Sequence, residues 1–149
     1  MPSINFYVNA LAGLHVHRVG RRPAPHKPLL LLSVMELVEE GYIEEGMVCP
    51  DERLAERFER LWRCYAGATQ GFKGSMVYPF FHMDYEPFWQ LCPTPECRHL
   101  REYSSLTSLR RDFAFARLAP DLFALMQNPE ARNVFRRVLV QTYLAAPIC

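Results

Sequence analysis

Hydrophobic residues recur with a helical period at Ile4, Tyr7, Val8, Leu11 and Leu14, which predicts a short first helix that Gly13 weakens near its end. From Val19 to His26 the rhythm breaks into a basic, turn-rich run with Pro23 and Pro25. It reads as a loop feeding a helix whose first turn tolerates the missing N–H of Pro28. Leu29 to Glu40 is apolar nearly all round in its first half and polar after it. That is the pattern of a helix central to the core, and Gly41 suits a left-handed cap at its end. Asp51 is placed to cap a third helix, with Glu52 favourable at its N-terminus. Leu54, Phe58, Leu61, Trp62 and Tyr65 give that helix one apolar face, and Gly67 ends it. The intervening Tyr42 to Pro50 has room for a small strand or turn. Gly67 to Ser75 carries three glycines and Lys73, so a mobile exposed loop is expected there.

Val77 to Met83 and Phe88 to Cys92 are rich in aromatics and flank Asp84 to Pro87, which together read as a hairpin. Pro79 cannot donate to a ladder, so the first strand is expected at an edge or a bulge. Strand alternation would send Tyr78, Phe80 and His82 to one face and Pro79 and Phe81 to the other. Further on, Ser105 to Arg111 predicts a short helix, Phe113 to Leu118 an extended segment and Pro120 to Met126 one or two helical turns. Pro129 to Leu144 is the clearest late helix, with Ala131, Val134, Phe135, Val138, Leu139 and Tyr143 on one side. The expected fold is α+β: one mostly helical, winged-helix-like domain over residues 1–149 with a small antiparallel hairpin or sheet.

Composition narrows the class. At 149 residues, 50% hydrophobic and 22% charged, the chain has the size of one domain and the make-up of an ordinary globular protein. No stretch approaches the roughly 20 apolar residues of a membrane helix, and Met1 to Ala12 lacks a charged region before an apolar run. The expected location is therefore the cytoplasm. Five cysteines without tight regular spacing argue against a secreted disulfide framework and for reduced thiols. Charge is unevenly spread. Residues 1–35 hold Arg18, Arg21, Arg22 and Lys27 and no acid, residues 36–59 hold nine acids against Arg53 and Arg57, and residues 60–83 again hold bases only. A near-neutral chain of this kind attracts a polyanion if folding gathers its basic segments on one face.

Searches for catalytic constellations return little. A PD-(D/E)xK nuclease centre needs a lysine shortly after an acid, and neither Lys27 nor Lys73 follows one at that spacing. An HNH centre needs histidines and an asparagine around one metal, and Asn5, Asn9, Asn128 and Asn133 fall in unsuitable segments. Cys92, Cys97 and His99 supply three zinc-ligand types, with Cys49, Cys64 or His82 as a fourth, but without the paired knuckles of structural zinc sites. No cofactor or metal is expected. The basic and aromatic elements are more coherent. His26 and Lys27 precede Pro28 at a helix start, where backbone N–H groups and the dipole favour a phosphate. Capping by His26 and solvation of Lys27 are the alternatives there.

Ala24-Pro-His-Lys-Pro-Leu-Leu-Leu-Leu32, Val77-Tyr-Pro-Phe-Phe-His-Met83 and Phe88-Trp-Gln-Leu91, with the closing stretch Tyr103 to Tyr143, resemble the DNA sulfur-binding domain of McrA-like, modification-dependent (type IV) HNH restriction endonucleases of bacteria. The resemblance implies a non-catalytic module that binds double-stranded DNA whose backbone carries a phosphorothioate. Its pocket would be Tyr78 and Pro79, with His26 and Lys27 facing the strand and His82 nearby. Arg21, Arg22, Lys73, Ser104, Ser105, Arg110 and Arg111 would supply phosphate and base contacts. Cleavage would then require an HNH nuclease domain in cis or in trans. The alternative is a metal-dependent nuclease or hydrolase, using Cys92, Cys97 and His99 or Asp84 and Glu86 beside His82.

Overall fold

A computed structural model of the protein describes residues 3–145 together with 147 and 148. Helix α1 (Ile4–Ala12) turns Tyr7 and Leu11 inward. A two-residue turn, Gly20-Arg21, then joins strands β1 (Arg18–Val19) and β2 (Arg22–Pro23), paired Arg18 to Pro23 and Val19 to Arg22. Gly20 has φ +64°, and a glycine at the first central position is what such tight hairpin turns require. The basic run read as an irregular loop is thus a small projecting hairpin.

Helix α2 (His26–Glu39) is the centre of the molecule. Every residue from Lys27 to Met35 is buried, as its all-round apolarity demands. Gly41 follows it in the left-handed region at φ +80°. Strand β3 (Met47–Val48) leads to α3 (Glu52–Cys64), where Asp51 caps as expected by accepting from the Leu54 N–H at 3.0 Å. Two acids of the 36–59 segment, Glu36 and Glu40, are engaged by arginines of α3. Arg57 bridges to Glu36 and Glu40, Arg60 to Glu36 and Arg53 to Glu40, which zips α3 along α2.

After α4 (Ala66–Thr69) comes the main correction to the sequence reading. Val77–His82 is a helix, α5, not the first strand of a hairpin, and Met83–Tyr85 continues it as a 3₁₀ turn. Pro79 is the third residue of α5, within the first turn, where N–H groups have no intrahelical acceptor and proline costs nothing. The sheet is built elsewhere. Strand β4 (Trp89–Pro93), helix α6 (Leu106–Asp112) and strand β5 (Phe113–Leu118) follow, and the antiparallel order is β3-β5-β4, with Trp89 opposite Leu118 and an irregularity at Cys92/Pro93. Helices α7 (Pro120–Met126) and α8 (Pro129–Leu139) close the fold, α8 ending in a π-helical turn, Val140–Leu144. The α+β expectation holds with this different sheet. Phe58, Phe80, Met83, Leu109, Phe135 and the leucines of α2 form one buried cluster. Cys49, Cys92 and Cys97 are free thiols, whereas Cys64 is disulfide-bonded, against the expectation of reduced thiols throughout.

No helix among the described residues is long and apolar enough to cross a membrane.

Candidate nucleic-acid interface

The helical state of Val77–His82 rearranges its side chains. Residues four apart on a helix share a face, so Tyr78 and His82 stack with ring centroids 4.4 Å apart. Phe80 turns fully into the core. Pro79 is also buried, while its neighbour Tyr78 keeps 46% of its surface exposed. Opposite them stands the first residue of α2. The His26 ring lies 5.3 Å from Tyr78, 4.9 Å from Trp62 and 5.9 Å from Phe72. His26 Nε2–H donates to the Lys73 carbonyl at 2.7 Å, which assigns the proton to that nitrogen because a carbonyl only accepts. Nδ1 is then a bare acceptor, buried and without a partner among the described residues.

Of these rings His26, Tyr78 and Phe72 wall an apolar pocket of about 320 Å³, completed by His17, Ala24, Lys73, Ser75, Val77, Tyr103 and Ser104, whereas Pro79 and His82, expected in the pocket from the sequence, stand outside its lining. Tyr103 donates its hydroxyl to Asp112 at 2.5 Å, and burial followed by that bond pushes its pKa up to about 12. The phenol therefore stays protonated.

Burial of His26 lowers its pKa, the Lys73 bond opposing the shift. Burial also lowers that of His82, aided by the positive charge of Lys27 and opposed by Glu102. Both imidazoles are neutral at pH 7. A histidine whose folded pKa lies below its unfolded value, about 6.5, binds fewer protons folded than unfolded in the interval between the two. Stability is therefore expected to fall as pH drops below about 6.5 and to level off below the folded pKa. Thermal melts between pH 8 and 5 check this: the His26→Gln/His82→Gln variant should lose much less melting temperature over that range than the native protein.

The remaining predicted residues divide into those presented and those engaged. Arg21 is exposed at the hairpin tip. Arg22 lies over the Phe72 ring at 5.5 Å and donates to the Gln70 carbonyl at 2.5 Å. Lys73 is exposed on the loop that its own carbonyl ties to His26, Ser104 is an exposed pocket wall, and Arg110 is exposed on α6. Other side chains are occupied within the fold. The Ser105 hydroxyl caps α6 by accepting from the Ser108 N–H at 3.1 Å. Arg111 is bound to the buried Asp112 at 2.6 Å. Lys27 is buried, with its ammonium 2.9 Å from Glu86.

The loop read as mobile is thus pinned by His26, Arg22 and Trp62. Sequence reasoning missed Phe72, Tyr103 and His17 as pocket walls. The aromatic pair beside Lys73 and Ser104 was the available signal. The metal alternatives find no geometry, since no group of three histidines, cysteines or acids among the described residues stands close enough to hold an ion. Asp84 accepts from the Leu91 N–H at 3.1 Å, and Glu86 is buried against Lys27.

The family model of the ScoMcrA-like DNA sulfur-binding domain matches residues 5–148. The chain belongs to this family. The fold of this sulfur-binding domain is shared by the sulfur-binding domain of ScoMcrA complexed with phosphorothioated DNA. The two superpose with a TM-score of 0.70 over 92% of this chain and 86% of that one, at 22% identity. The corresponding domain of SprMcrA, also complexed with phosphorothioated DNA, gives 0.71 over 97% and 87%, at 18% identity. In the type IV phosphorothioation-dependent restriction endonuclease ScoMcrA, the match covers 92% of this chain but only 29% of the larger protein, with a TM-score of 0.68 and 23% identity. No curated protein matches the chain in sequence.

Proposed function

We propose that residues 1–149 act as the recognition module of a modification-dependent restriction system, binding double-stranded DNA that carries a backbone phosphorothioate. The observation that carries this reading is the pocket walled by the rings of His26, Tyr78 and Phe72, set among exposed basic side chains in a chain of the DNA sulfur-binding family. Sulfur is larger and more polarizable than oxygen and a poorer hydrogen-bond acceptor. An apolar wall therefore costs it less than it costs a phosphate oxygen, whose unmade hydrogen bonds are worth roughly 1–3 kcal/mol.

In this reading the sulfur lies against His26, Tyr78 and Phe72, with Pro79 and His82 flanking Tyr78 along α5. Arg21, Arg22, Lys73, Ser104 and Arg110 hold phosphates or base edges around it. Lys27, Ser105 and Arg111 support the surface from within. The module works in the cytoplasm, where its DNA is, and cutting belongs to an HNH nuclease domain in the same chain or a partner.

A titration with matched duplexes, one carrying a single phosphorothioate and one an ordinary phosphate, tests the reading. Preference for sulfur of about 5- to 150-fold is expected from the hydrogen-bond difference, and it should depend on which non-bridging position is substituted, because a protein wall is chiral. Equal affinities at physiological salt would reduce the chain to a general polyanion binder. Arg21→Ala, Arg22→Ala and Lys73→Ala should each weaken modified and plain duplex by the same factor. Each should also lower the slope of log affinity against log salt by about 1, the mark of one lost phosphate contact. Titrations at several salt concentrations check it.

A further inference from the structure

We propose that Glu86 sets the sulfur preference of this pocket by withholding the Lys27 ammonium from the DNA strand. The proposal rests on the sulfur-pocket reading above and adds a specificity-determining residue to it.

Lys27 follows His26 in the first turn of α2, so its backbone is one residue from a pocket wall. Its side chain keeps 7% of its surface exposed and that of Glu86 3%. The Glu86 carboxylate takes the ammonium at 2.9 Å and accepts from the His15 backbone N–H, also at 2.9 Å. His15 Nδ1 lies 3.2 Å away and the Tyr85 ring 5.8 Å from the ammonium. One carboxylate from the end of the 3₁₀ turn thus ties together the loop after α1 and the start of α2.

Removing two opposite charges from water is costly enough that well-packed apolar residues usually serve stability as well. Stability alone therefore does not account for the pair. Its effect on the ligand does. An ammonium N–H bonds far better to a hard phosphate oxygen than to sulfur, so an uncompensated lysine beside the pocket would reward ordinary DNA more than modified DNA. Glu86 holds that donor and leaves the pocket with walls that favour sulfur.

Titration of the native protein, Glu86→Gln, Lys27→Met and the double variant against the two matched duplexes at one salt concentration decides it. A native protein without sulfur preference overturns the pocket reading itself. Given a native preference, Glu86→Gln is expected to tighten the plain duplex about tenfold, the effect of one charge-assisted hydrogen bond gained by oxygen. The modified duplex should change little, so the preference falls by the same factor. The double variant has no ammonium to release and should recover the native ratio.

An unchanged ratio in Glu86→Gln overturns the proposal. So does a double variant as unselective as Glu86→Gln, which would make Glu86 act without Lys27. If Glu86→Gln alone fails to fold by circular dichroism, Lys27→Met and the double variant decide. Retention of the native ratio in both supports the proposal, and loss of it in either shows that the lysine reads the strand itself and overturns it.

Discussion

Tyr78→Ala is expected to lose most of the preference for phosphorothioate DNA while leaving affinity for the plain duplex within about threefold. The ring is an exposed wall of the pocket, 46% accessible, and touches His26 on one side and His82 on the other. Truncation opens the site to water on both faces, and a hydrated cavity treats oxygen at least as well as sulfur. The preference corresponds to roughly 1–3 kcal/mol, so its loss means a fall of about 5- to 150-fold in the ratio of dissociation constants. Folding should barely notice, since a partly exposed side chain near a helix start contributes little core burial. Matched titrations with circular dichroism melts separate the two effects. A ratio that survives in a folded Tyr78→Ala protein would place the sulfur elsewhere. Pro79→Ala should act in the same direction but less, because the ring is buried outside the pocket lining and alanine fits a first helical turn.

The helices around the pocket were readable because each carries its own punctuation. Leu29 to Val38 has no polar stripe until its end and stops before Gly41, and α3 begins with a capping Asp51. α5 lacked such signals. Six residues with one β-branched side chain, three aromatic ones and a proline fit a pleated strand as well as two helical turns. What decides is Pro79 falling in the first turn and Phe80 reaching the core, which is tertiary information. The error mattered for chemistry: alternation grouped Tyr78 with both Phe80 and His82, whereas the helix keeps His82 beside it and turns Phe80 into the core.

Lys27 was ambiguous for a related reason. A lysine after a histidine at a helix start looks the same whether solvated or paired, and its partner Glu86 lies 59 positions away. Phe72 and Tyr103 likewise become pocket walls only when loop and helix start are brought together.

Gly74→Ala is expected to damage the site through a single methyl group. A Cβ at Gly74 would stand 2.7 Å from Trp62 Cε2 and 2.8 Å from Cδ2 and Nε1, closer than real Cβ atoms come. The indole cannot retreat freely, because His26 packs on it at 4.9 Å and Phe58 at 5.7 Å. The loop must move instead. That loop carries Phe72, Lys73 and Ser75 on the pocket wall, and its Lys73 carbonyl fixes His26 through the 2.7 Å bond. Displacement breaks this bond, frees the His26 ring and separates the walls that hold sulfur. Overpacking of this kind costs about 1–3 kcal/mol, so the melting temperature should drop by several degrees while the protein stays folded. The sulfur preference should fall as far as in Tyr78→Ala. Trp62→Leu in the Gly74→Ala background removes the atoms the methyl group meets and should restore part of the preference. No recovery in that double variant, or a full preference in Gly74→Ala itself, would show that the loop does not position His26.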